Sequence, residues 1–157
     1  MNEMDVLTPE QRHLNMSRIR GRDTKPEMLL RRGLHAAGFR YRLCVPELPG
    51  RPDLVFPRYR AVILVHGCFW HGHDCRLFKL PATRTEFWAD KISSNRDRDI
   101  RTRMALVEAG WRVCTVWECC FKGSARRPLA DILSDCAEFL TGQARWCDLQ
   151  CTAPAVS

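Results

Sequence analysis

The 157-residue sequence contains no apolar run long enough to cross a bilayer, which excludes a helical integral membrane protein. Its first twenty residues carry Glu3, Asp5 and Glu10 and lack an apolar stretch, so they do not read as a secretory signal. The cytoplasm is therefore the expected compartment. Internal repeats and low-complexity tracts are missing, which argues against a solenoid or an extended linker protein. Acidic residues are in deficit: 18 Asp plus Glu face 25 Lys plus Arg, a net charge of +7. Arginine supplies most of that excess, and its planar fork matches phosphates and guanine edges, so a polyanionic partner is favoured.

Cysteine is not scarce. Nine are present: Cys44, Cys68, Cys75, Cys114, Cys119, Cys120, Cys136, Cys147 and Cys151. An odd count without a secretory signal argues against a disulfide framework. Cys114 lies in a strand-like apolar run and Cys136 in a helix-like one, and both read as small buried hydrophobes.

With 45% apolar and 27% charged residues, the chain reads as one soluble α/β domain. Residues 1–17 are polar and include Pro9, as in a flexible arm, and 18–142 form the single domain. Residues 143–157 match no pattern and read as a tail, a candidate for disorder. Thr24 and Glu27 have capping-box spacing with Pro26 in the first turn, predicting a helix that Gly38 ends. "FRYRLCV" (39–45) alternates as a half-exposed strand, "LVF" and "AVILV" (61–65) follow around a turn at Pro57–Tyr59, and "WRVCTVW" (111–117) is a further buried strand. Thr83 and Glu86 open a long helix that Gly110 stops, and residues 128–142 predict a last amphipathic helix. Three strands followed by a helical crossover predict a mixed sheet flanked by helices.

The densest chemistry is in "VHGCFWHGHDC" (65–75). Cys68, His73 and Cys75 have C-x4-H-x-C spacing, and thiolates with imidazole are preferred zinc ligands. The fourth ligand of a structural tetrahedron would come from Cys119 or Cys120, just past a strand paired with 61–65. The blander reading is a set of free cysteines on a loop. His66 and His71 are left over: His66 reads equally as a hydrogen-bonded core histidine, and His71 equally as an alternative zinc ligand. Upstream, "GRPDLVF" puts Asp53 at a strand start, where a carboxylate can hold a hard cation such as Mg²⁺. Asp beside Pro is also common in turns.

Taken in order, "NMSRIRGRDTKPEMLLRR", "LPGRPDLVF", "VHGCFWHGHDC", "TEFW.DKI..N..RD" and "GWRV..VWEC" resemble the very-short-patch repair DNA mismatch endonucleases. The resemblance spans about Asn15 to Gly123. It implies a restriction-endonuclease-like core and an enzyme that nicks one strand of double-stranded DNA beside a T:G mismatch left by 5-methylcytosine deamination. It further implies catalytic Mg²⁺ on Asp53 and the backbone carbonyl of Val65, and structural Zn²⁺ on Cys68, His73, Cys75 and Cys119. His71 matches the general base and Glu27 the acid that orients it, while His66 and Asp99 match a second His–Asp pair. Phe69, Trp70 and Trp88 match a wedge of aromatics inserted beside the mismatch. The same resemblance suggests recruitment of a mismatch-repair protein such as a MutL homologue, and a monomer is expected.

Each assignment has a plainer rival. Glu27 also fits the helix cap, Asp99 a solvated acid among Arg96, Arg98 and Arg101, and Trp88 core packing at a helix start. Two other functions compete with the whole reading: a non-catalytic zinc module binding nucleic acid by charge and stacking, and a restriction-type nuclease without mismatch preference. A redox or metal-storage role for the cysteines leaves the HGCFWH context unexplained.

Overall fold

The computed structural model describes residues 24–152. Helix α1 (Lys25–Ala36) opens as the sequence predicts, with Pro26 in its first turn and the Thr24 hydroxyl accepting from the Glu27 N–H at 3.4 Å. Four strands follow in chain order: β1 (Arg42–Leu43), β2 (Leu54–Phe56), β3 (Ala61–His66) and β4 (Arg112–Trp117). The long helix α2 (Thr85–Glu108) joins β3 to β4, and α3 (Leu129–Thr141) and β5 (Trp146–Leu149) complete the chain.

The five strands lie side by side in sequence order. β1, β2 and β3 pair antiparallel, whereas β3–β4 and β4–β5 are parallel. The sheet is mixed and carries helices on both faces. Leu54, Phe56, Ala61, Ile63, Cys114 and Val116 pack on one side against α1 and α3 through Leu30, Leu34, Ile132, Cys136 and Phe139. Val55, Val62, Leu64 and Val113 pack on the other against Leu106 of α2. Side chains alternate along a strand, so His66, in phase with Val62 and Leu64, faces the α2 side. That phase is what sets the site.

Three local expectations change. Helix α2 starts at Thr85 with Arg84 as its N-cap, in a left-handed conformation, one residue later than a Thr83 cap would start it. The strand expected over 39–45 shortens to two residues, because Arg42 and Leu43 alone find partners on β2. Residues 143–152 do not form a tail: 146–149 add β5 to the sheet, with Leu149 buried against α3. The arm expected over 1–17 lies outside the described residues. Among the described residues, no helix is long and apolar enough to cross a membrane.

Candidate active site and metal centre

The loop 67–75 leaves the end of β3 and closes on itself through backbone bonds: His71 N–H to Gly67 O, Gly72 N–H to Phe69 O and His73 N–H to Cys68 O. Gly72 sits at φ +61°, and a Cβ there would come within 2.6 Å of Ile92 Cγ2 and 2.9 Å of Arg96 Cδ. Only glycine lets the loop press this closely on α2. Ile92, Asn95, Arg96 and Asp99 occupy one face of α2 at i, i+3, i+4 and i+7. From that face Asn95 Nδ2 donates to the Trp70 carbonyl at 2.8 Å, and Asp99 Oδ2 lies 2.5 Å from His71 Nδ1.

His66, His71 and Asp99 come together within 4.8 Å, and the hydrogen bond of Asp99 goes to His71. His66 instead stacks flat on His71, with ring centres 3.8 Å apart and planes within 2°. Burial, and secondarily the His71 charge, push the His66 imidazole down to about 3, so it is neutral at pH 7. Its Nδ1 is buried and has no hydrogen-bond partner among the described residues.

Glu27 lies at the other carboxylate of the site, Asp53. Almost fully buried, it pairs with Arg31 one turn along α1 and shares a hydrogen bond with Asp53. Asp53 Oδ2 accepts from the Val65 N–H at 2.7 Å, which fixes the carboxylate against the backbone one residue before His66. Burial pushes Asp53 up to about 7; the Val65 bond opposes this and the Glu27 charge adds to it. Two buried carboxyls sharing a site beside the Arg31 guanidinium are a chemical fit for a hard divalent cation.

Cys68, His73, Cys75 and Cys119 converge, each offering one ligand atom within 4.8 Å of the others. His73 Nδ1 lies 3.5 Å from Cys68 Sγ and 3.6 Å from Cys119 Sγ. The turn Glu118–Cys120 after β4 splits the cysteine pair: Cys119 joins the cluster, while Cys120 packs into the core under α3. Burial pushes the Cys68 thiol up to about 12 and raises Cys119 still further. A bound cation would reverse this by stabilising the thiolates.

Phe69, Trp70 and Trp88 also meet, with ring centres 5.2 to 5.7 Å apart. Phe69 and Trp70 are half-buried, and Trp88 is only 8% exposed behind them. The sequence reading missed Trp117, opposite His66 in the β3–β4 register, and Glu118, whose Oε1 accepts from the Cys68 N–H at 3.2 Å. Pairing the two apolar strands before assigning the site would have exposed Trp117.

Residues 4–77 match the sequence profile of the DNA mismatch endonuclease Vsr family. The DNA mismatch endonuclease Vsr of Escherichia coli is 50% identical over 127 residues, which cover 81% of this chain and 80% of that protein. The type II nicking enzyme V.XorIIP of Xanthomonas oryzae is 50% identical over 115 residues, 73% of this chain and 85% of its own. The type II nicking enzyme V.NmeAIP of Neisseria meningitidis is 41% identical over 121 residues, covering 77% and 86%. A fold that brings a histidine–aspartate pair, a buried carboxylate pair and a Cys₃His cluster to one end of the sheet, with relatives matching most of its length, belongs to the Vsr family of DNA endonucleases.

Proposed function

We propose that this protein is a Mg²⁺-dependent endonuclease that nicks one strand of duplex DNA beside a T:G mismatch, on a restriction-endonuclease-like core. The observation that carries the reading is the His71–Asp99 pair, set between the aromatic cluster and the Cys₃His cluster on one short loop. It is supported by the E. coli relative, itself named a mismatch endonuclease.

With Nδ1–H donating to Asp99, His71 presents Nε2 as a free lone pair and acts as general base. Water gives its proton to that nitrogen as its oxygen attacks phosphorus, and the bond from phosphorus to the leaving sugar oxygen breaks. His66, neutral and stacked on His71, keeps the base flat and excludes water from one face. Asp53, with Glu27 beside it and bound to the Val65 N–H, would hold Mg²⁺ together with the Val65 carbonyl. Bound there, the cation offsets charge on the phosphoryl and leaving oxygens.

Cys68, His73, Cys75 and Cys119 would hold structural Zn²⁺. A tetrahedral zinc with sulfur at about 2.3 Å and nitrogen at about 2.05 Å has an S···N edge of about 3.6 Å. The two observed separations, 3.5 and 3.6 Å, fit it. Phe69 and Trp70 would enter the stack beside the mismatch, where unstacking costs less than in paired DNA, with Trp88 as their buried support.

The test is nicking of a T:G duplex and its T:A counterpart with Mg²⁺ and with EDTA. Nicking of the T:G strand alone, abolished by EDTA, is expected. Equal cutting of T:A would make the protein a nuclease without mismatch preference, and tight binding without cutting would make it a non-catalytic zinc module.

A further inference from the structure

The segment that follows the last strand reaches back into the Cys₃His cluster. β5 runs parallel to β4 with Val116 opposite Leu149, so residues 150 and 151 emerge at the same sheet end as Cys119. There Gln150 Oε1 lies 2.9 Å from His73 Nε2, and the Cys151 N–H donates to Cys119 Sγ at 3.2 Å. Thr152 then anchors the segment, its N–H and hydroxyl both donating to the Ala125 carbonyl, at 3.0 and 3.1 Å. Arg103 of α2 holds β5 from the other side through Asp148, at 3.3 Å.

The chemistry at His73 follows from which nitrogen carries the proton. A glutamine oxygen only accepts, so His73 Nε2 must donate, and its proton leaves Nδ1 as a bare lone pair. That lone pair is the atom facing Cys68 and Cys119. The Cys151 peptide N–H likewise points at the Cys119 sulfur and fixes its direction. Two of the four cluster residues thus receive an orienting contact from two consecutive residues outside that set, Gln150 and Cys151, which Thr152 anchors.

We propose that residues 150–152 are a working part of the metal site: Gln150 is a positioning residue that selects the metal-ready tautomer of His73, and the Cys151 N–H orients the Cys119 sulfur. Outer contacts of this kind typically change metal affinity 10–100-fold. The inference rests on the reading of Cys68, His73, Cys75 and Cys119 as a metal site.

The experiment loads the full chain with one equivalent of Zn²⁺ and follows release to a chromogenic chelator, with a thermal melt of each protein. Gln150→Leu should release zinc about 10-fold faster than wild type. Gln150→Glu keeps the acceptor and should release it no faster than wild type. Wild-type release from Gln150→Leu, or equally fast release from both variants, would overturn the role of Gln150 while leaving the metal site standing. A wild-type chain that binds no zinc would overturn the site and this inference together.

Discussion

Trp117 lies flat on His73, ring centres 4.1 Å apart and planes 9° from parallel, while its edge faces His66 at 5.2 Å. One indole therefore touches a residue of the Cys₃His cluster on one side and the His66–His71 stack on the other. It can do so because β3 and β4 pair with His66 opposite Trp117, at the strand ends from which both clusters hang. The Cys₃His cluster and the His66–His71 stack thus share one aromatic ring.

Trp117→Ala should therefore disturb both ends. Losing the stacked ring should cost about 2–4 kcal/mol of stability, lower metal retention and slow nicking. Trp117→Phe keeps a ring and should recover most of each. Calorimetry, metal release and single-turnover nicking on the same preparations would check this. Slowed nicking with unchanged metal retention would contradict the coupling.

Asp53→Asn should abolish nicking and raise the melting temperature of the metal-free protein. The folded Asp53 carboxyl titrates near 7 against 3.8 when free, so the folded state holds its proton more tightly than the unfolded chain. That contribution is intact below about pH 4 and is lost as pH rises through about 7. The gain from asparagine should thus be about 1–3 kcal/mol at pH 8 and shrink towards zero at pH 4. Melts across that range would show it, and a gain confined to low pH would contradict the sign.

Cys68→Ser removes a buried ligand and leaves three donors facing one another. Metal loss and a fall in stability of about 3 kcal/mol or more are expected, because metal binding is folding free energy in such sites. Cys120→Ala, in the core and outside the cluster, should retain full metal content. Equal metal loss from both would mean that the fourth ligand has been misassigned.

Phe69→Ala and Trp70→Ala should weaken discrimination for T:G duplex more than they weaken binding to matched duplex. The half-buried rings meet each other and Trp88 edge-to-face, so each truncation also loosens its neighbour. 2-Aminopurine fluorescence beside the mismatch would report the loss of unstacking. Unchanged fluorescence in both variants would remove these residues from the wedge.

Local chemistry was legible in the sequence, and long-range placement was not. The Thr24–Pro26–Glu27 signal marks α1 because capping needs only three neighbouring residues. Ala61–Val65 and Arg112–Trp117 read as buried strands because both faces of the sheet are covered. β5 was missed because Trp146, Cys147 and Asp148 stay partly open at the sheet edge and only Leu149 is buried. Within the site, Cys68, His73 and Cys75 announce themselves by spacing on one loop. The partner of His71 depends instead on how α2 crosses that loop, which Gly72 decides by its missing side chain. Gln150 carries no motif at all, and its contact to His73 follows from β5 lying beside β4.

On the proposed function, one loop both staples the fold and cuts the strand, with Cys68, His73 and Cys75 as ligands and His71 as base. Zinc content and single-turnover nicking of a T:G duplex, measured together for wild type and His71→Ala, separate these roles. Full zinc content, an unchanged melt and nicking slowed by about 10²–10⁴-fold or lost are expected of the variant. Zinc lost along with activity would show that His71 is a ligand, and nicking at the wild-type rate would show that the base lies elsewhere.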